Sequence, residues 1–162
     1  MQPETDRQYA YFALTGVADT TDIDDVLGLK AFDQWNVGEA FEKRGRMMRR
    51  RSSFWRLSSG LADTQPLEKH IEALLSLLEP KQEALLKLST SFDARLSCVS
   101  YHYQSFGFDL PFDIQRRATS LGVRLSFAAY SFGDIHEEIV ALREQTERAD
   151  VAGVRDRLKE QS

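Results

Sequence analysis

Three histidines, one cysteine and a run of aspartates are the side chains here that could do acid–base, nucleophilic or metal chemistry, and their spacing assigns none of it. His136-Glu137-Glu138 lacks the second histidine one helical turn on that a zinc-protease helix needs. His70, one residue before Ile71 in a helical pattern, reads as a helix-surface residue, and His102 as a polar residue at a strand end. Cys98 shares the apolar side of a strand with Leu96, which predicts an inert core thiol. A single cysteine also excludes an intramolecular disulfide and a cysteine-rich zinc site. Asp22, Asp24 and Asp25 stand at the start of a short helix, where carboxylates suit the positive end of the dipole. There is no glycine-rich phosphate loop and no serine in a nucleophile elbow. The expectation is no catalytic residue, no metal and no cofactor. An enzyme assembled from distant residues stays as a third alternative.

Charge offers a different chemistry. Between Lys43 and Ala62 stand seven basic residues, Lys43, Arg44, Arg46, Arg49, Arg50, Arg51 and Arg56, and no acidic one. The whole chain has a formal net charge of −4, so 14 basic side chains face 25 acidic ones in the remainder. An acidic body thus carries a basic belt. Arg46, Arg49, Arg50 and Arg51 are its candidates for holding phosphates or an acidic partner. The plainer alternative is a solvated loop that balances the body.

The elements that must position these residues follow from periodicity. Leu67, Ile71, Leu74, Leu75 and Leu78 form one apolar helical stripe after Pro66, and Pro80 divides that helix from a second with Leu85, Leu88 and Phe92 on one side. From Ala94 to Tyr103 the period changes to 2, which predicts a strand. Earlier, residues 8–15 read as a first strand ended by Gly16. Thr21 is expected to cap a short helix whose buried side is Ile23, Val26 and Leu27, with Gly28 as its C-cap. Residues 30–48 are poorly periodic: a short strand near Phe32–Val37, then a loop with Gly38 and Gly45. Arg51 to Ser58 has strand character. Pro111 opens a helix with Ile114, Ala118 and Leu121 inward and Arg116 and Arg117 outward, stopped by Gly122. The last strand is Val123–Phe132. Ile135, Ile139 and Leu142 mark a C-terminal helix, and from Glu144 the chain is charge-rich.

Alternation sorts the strands by face. With Phe12, Leu14, Trp55, Leu57, Leu96, Cys98, Leu125 and Phe127 toward the helices, the opposite face gathers Tyr9, Tyr11, Phe54, Arg56, Tyr101, Tyr103 and Tyr130. Tyrosine joins a large apolar body to a hydroxyl, and with arginine it is enriched at interfaces. Tyr9, Tyr11, Phe54, Tyr101, Tyr103 and Tyr130 are therefore the candidate partner-binding residues. The bland alternative is a set of cross-strand pairs, or rings covered by the C-terminal helix.

At 162 residues, 42% apolar and 28% charged, the chain has the size and composition of one globular domain. That domain is expected over residues 1–133, with 134–162 a C-terminal helical extension. No apolar run approaches the roughly 20 residues that span a bilayer, and the N-terminal residues lack the pattern of a secretory signal. A cytoplasmic protein that does not bind membranes is expected.

Several strings recur in one order: TDIDDVLGL after the first strand, VGE leading through the basic stretch into SFWRLSSG, then LEKHIEALLSLLEPKQEALLKL and FGFDLPFDIQRRATSLGVRLSFAAY. Over about residues 8–132 this resembles the bacterial domain-of-unknown-function family 4279. The resemblance implies a small α+β protein and supplies no activity.

The expected fold is an α+β sandwich: a mainly antiparallel sheet of four or five strands, helices packed on one face, a relation to ferredoxin-like arrangements, and a C-terminal helix. The expected function is non-catalytic binding of another protein, in the manner of a toxin-neutralising immunity protein. The alternative is a nucleic-acid or anionic-ligand binder using the belt at 43–56, although no RNA-binding signature is present. A homodimer would form through the outer sheet face or the C-terminal helix.

Overall fold

The structure, a computed structural model, describes residues 6–103 and 106–131. The expected C-terminal helix, with Ile135, Ile139 and Leu142, lies outside the described residues, as do His136 and the charge-rich end. Five strands form one sheet: β1 (Arg7–Gly16), β2 (Asp33–Trp35), β5 (Ser53–Ser58), β6 (Phe92–His102) and β7 (Arg124–Ser131). A separate two-stranded hairpin joins β3 (Ala40–Lys43) to β4 (Arg46–Arg49). The helices are α1 (Ile23–Leu27), α2 (Leu67–Leu78), α3 (Gln82–Leu88) and α4 (Phe112–Ser120), with a 3-10 turn at Glu79–Lys81 where Pro80 breaks the ladder.

The sheet order is β2-β5-β1-β6-β7. β1 lies antiparallel between β5 and β6, and β2 is antiparallel to β5. β7, however, is parallel to β6. The sheet is mixed: three of its four pairings are antiparallel, as expected for most of the sheet, and the β6–β7 edge departs from that expectation. The physical reason is α4, which carries the chain back along the sheet before β7 begins, as a parallel pair requires.

One face of this sheet is dry. Phe12 lies in register between Leu57 and Leu96, and Leu14 between Trp55 and Ala94. All but Leu57 and Ala94 are fully buried, and Phe12 meets Trp55 edge-on at 6.3 Å. Over them lies the α2 stripe: Leu67, Ile71, Leu74, Leu75 and Leu78 are each at most 1% exposed. Each such side chain contributes about 1.5–3 kcal/mol on burial. The 3.6-residue period of the helix and the 2-residue period of the strands meet in one cluster, which also takes Ile23, Leu27, Leu85, Ile114 and Ala118. Cys98 belongs to it, and burial pushes its thiol up to about 12, so the expected inert thiol is what the structure holds.

Polar groups fasten the edges of the core, in places the sequence reading misjudged. Thr21 is not the cap of α1; its N–H bonds the Asp19 carboxylate, and Val26 is exposed rather than buried. Asp24 points into the structure, where Oδ1 accepts the Trp55 indole N–H at 2.7 Å and the Ala31 N–H at 3.0 Å. His70 is fully buried, not on the helix surface, and its Nδ1 lies 2.6 Å from Ser59 Oγ. The first free N–H of α2, at Leu67, finds Gln8 Oε1 of β1 at 2.8 Å. His102 is also buried, its ring stacked on Phe106 at 3.7 Å. Arg117, expected to point outward, is half-buried and forks onto Glu79 while reaching Ser76, tying α4 to the end of α2. That guanidinium holds the Glu79 carboxyl below its usual range.

Asp24→Ala strands the buried Trp55 N–H and should cost about 1–3 kcal/mol in urea unfolding, whereas Asp25→Ala at an exposed position should cost almost nothing. Equal losses would deny Asp24 its anchoring role. Burial also depresses the His70 pKa below its ordinary value of 6.5. The unfolded chain then binds the proton more readily, so the stability contributed by neutral His70 is complete above pH 6.5 and is lost as the pH falls below it. Unfolding free energies between pH 8 and pH 5 should show this loss in the wild type and a shallower one in His70→Gln.

Candidate functional site

The opposite face of the sheet follows from the same alternation. Tyr9 and Tyr11 of β1, Phe54 and Arg56 of β5, Arg95 and Tyr101 of β6 and Arg124 and Tyr130 of β7 share it through their registers. None of them belongs to the buried cluster that the helices share. The rings form a row. Tyr130 stacks on Tyr101 at 5.1 Å, Tyr101 on Tyr9 at 6.4 Å, and Tyr9 on Tyr11 at 6.5 Å. Arg56 continues the row, its guanidinium 5.2 Å from the Tyr11 centroid and 4.9 Å from Phe32. Tyr130 is 49% exposed and Phe32 69% exposed, while Tyr9, Tyr11 and Tyr101 between them are partly buried, so the row is most accessible at its two ends. The Tyr9 hydroxyl is pushed above its ordinary value first by burial and then by hydrogen bonding to Tyr101, which favours its neutral form.

A second ring pair closes the row toward β2. Trp35 stacks on Phe54 at 4.5 Å. Above it, the Arg50 guanidinium lies between two rings, 3.9 Å from Trp35 and 4.0 Å from Phe41. This sandwich fastens the hairpin to the sheet, helped by Gly38 N–H to Arg50 O at 2.9 Å and Arg50 N–H to Glu39 O at 2.8 Å.

The charges around the rings are mostly tied down. Arg56 pairs with Asp33, Arg7 with Asp63, and Asp93 accepts both Arg95 and Arg124. Four arginines (Arg7, Arg56, Arg95, Arg124) here meet three aspartates (Asp33, Asp63, Asp93), a small excess of positive charge on an acidic chain.

Of the expected partner-binding residues, Tyr9, Tyr11, Phe54, Tyr101 and Tyr130 fall on this one face. Tyr103 lies one residue past the end of β6 at His102, and its N–H bonds Asp6 Oδ1 at 3.1 Å. Sequence reasoning left out Trp35 and Phe32, because residues 30–48 carry no usable period. The indole beside an arginine-rich stretch was the available signal. Phe127 is on the helix side as expected but is half exposed against Phe108, 5.3 Å away, because β7 is an edge strand.

The expected anion-binding set separates. The stretch read as a loop is a hairpin, turned by Arg44 and Gly45 at φ 52° and 73°. Two successive positive φ values are what a two-residue hairpin turn needs. Arg50 is engaged with rings and Arg49 donates to Gly38 O at 2.9 Å, while Arg46 and Arg51 are exposed. No group of three metal-ligating side chains occurs among the described residues, and no helix among them is long and apolar enough to cross a membrane.

The sequence pattern of a family described as "Domain of unknown function (DUF4279)" matches residues 6–132. The chain belongs to this family. No curated protein and no solved structure matches it. The DUF4279 segment contains the whole ring row, the Arg50 sandwich and the hairpin, so the candidate surface is built from the family domain itself.

Arg50→Ala should release the hairpin from Trp35. Global stability should drop by about 0.5–2 kcal/mol, with faster amide exchange at Gly38 and Arg50 and little change in β1. Unchanged exchange at those two amides would show that the sandwich does not hold the hairpin.

Proposed function

We propose that this protein is a non-catalytic binding module that recognises another protein through the outer face of its sheet. The observation that carries the reading is the continuous row of stacked rings, from Tyr130 to Tyr11 and Arg56, on the side of the sheet opposite the core. Stacking fixes each ring before a partner arrives, so little side-chain freedom is lost on docking. Tyr and Arg are also the residue types that dominate binding energy at interface centres. The arginine excess at the rim suits a partner surface that is apolar at its centre and acidic at its edge. Neutralising a toxin by occluding it, as an immunity protein does, would require no more than such a surface.

The test is affinity capture with the intact chain, identification of the captured protein, and measurement of its affinity for variants. Tyr101→Ala/Tyr130→Ala should weaken that complex at least about tenfold while the fold loses no more than about 1 kcal/mol from the broken cross-strand pair. Lys69→Ala/Lys87→Ala, on the helical side, should bind as the wild type does. A partner whose affinity is unaffected by the tyrosine substitutions, or reduced by the lysine ones, would overturn the reading.

A further inference from the structure

We infer a second site: the β3–β4 hairpin is a phosphate-binding arm that takes the backbone of a nucleic acid. Lys43 and Arg46 are register partners, side by side on one face of the hairpin, and Arg44 sits in the turn between them. Like charges placed directly opposite on a strand pair repel. Elsewhere in this protein the same arrangement is neutralised: Arg95 and Arg124 are register partners too, and Asp93 bridges both at 3.2 and 2.9 Å. At the hairpin tip no carboxylate among the described residues does this. Lys43, Arg44, Arg46 and Arg51 have no ion-pair partner among the described residues, although Glu42 is adjacent in sequence. Three cations held together without a counter-ion in a fixed turn are a site whose repulsion a bound phosphate would relieve.

The shape supports a nucleic acid over other polyanions. Every residue of the hairpin except Phe41 is exposed, and the hairpin forms its own sheet, held at its base by the Arg50 sandwich. It is a ribbon with strands of roughly 13 Å, and the major groove of B-DNA, about 12 Å wide, admits a two-stranded ribbon. Met48, 43% exposed, shares the face of Lys43 and Arg46 as an apolar contact for sugar or base. Because the remainder of the chain is acidic overall, attraction is concentrated on the arm, and only a few phosphates are engaged.

The probes are a short labelled DNA duplex and single-stranded DNA and RNA of the same length, titrated over a series of salt concentrations. The variant Lys43→Gln/Arg44→Asn/Arg46→Gln removes the cluster, and asparagine suits the left-handed backbone at position 44. The intact chain should bind at low salt, with log affinity falling linearly against log salt. The triple variant should bind at least about tenfold more weakly, with a slope shallower by about 2 to 3, since each phosphate contact contributes roughly 0.9 on a duplex and 0.7 on a single strand. Arg46→Gln alone should remove about one contact. Tyr101→Ala/Tyr130→Ala should leave the slope unchanged, which separates this site from the protein-docking face. No binding by the intact chain to any of the three probes would overturn the assignment. So would an unaltered slope in the triple variant, or tighter binding to polyglutamate or to anionic lipid vesicles than to nucleic acid.

Discussion

A sheet whose described helices all pack on one side is the constraint from which the rest of this protein follows. Phe12, Trp55 and Leu96 meet beneath α2, and the wide leucine stripe of that helix can be buried nowhere else. Strand geometry then dictates that the neighbours of those residues face the other way. What was placed at those neighbouring positions is neither simply polar nor simply apolar. Beside small residues such as Ala13 and Ser97, it is tyrosine, phenylalanine and arginine, side chains that tolerate partial burial and gain from contact with one another.

Rings and guanidiniums alternate across that surface in a way that makes each hold its neighbour. Arg56 lies against Tyr11 and Phe32 while pairing with Asp33, and Arg50 fills the gap between Trp35 and Phe41. Exposed ion pairs contribute little on their own, so the order of this face comes mainly from stacking. A face organised before any partner arrives is one that can bind without first being rearranged. The hairpin differs in kind: it is ordered at its base by Arg50 and left electrostatically unbalanced at its tip.

Most of the core was legible in the sequence because period alone determines it. The α2 stripe, the break at Pro80, Gly28 and Gly122 as helix stops, and the two faces of β1, β5, β6 and β7 all follow from spacing and from glycine and proline chemistry. What could not be read depended on contacts distant in the chain. Asp24 looked like a helix-start carboxylate, and only the approach of Trp55, 31 residues away, turns it into a core anchor. His70 looked like a surface residue until the chain at Ser59 folded over it. The hairpin was missed because exposed strands carry no apolar alternation, and the parallel β6–β7 pair because strand direction is set by a crossover rather than by local pattern. The ring row was legible in its tyrosines. Trp35 and Phe32, from an aperiodic stretch, were not.

The division of the sheet into a sealed and an accessible face is tested most directly by hydroxyl-radical footprinting of the intact chain, read residue by residue. Trp55 and Phe12 should be protected as strongly as the leucines of α2, while Tyr130, Tyr11, Trp35 and Phe32 should be modified at rates that follow their exposure. If instead Tyr130 and Trp35 proved as protected as Trp55, the face would be occupied already, and it could not be the surface that receives a partner.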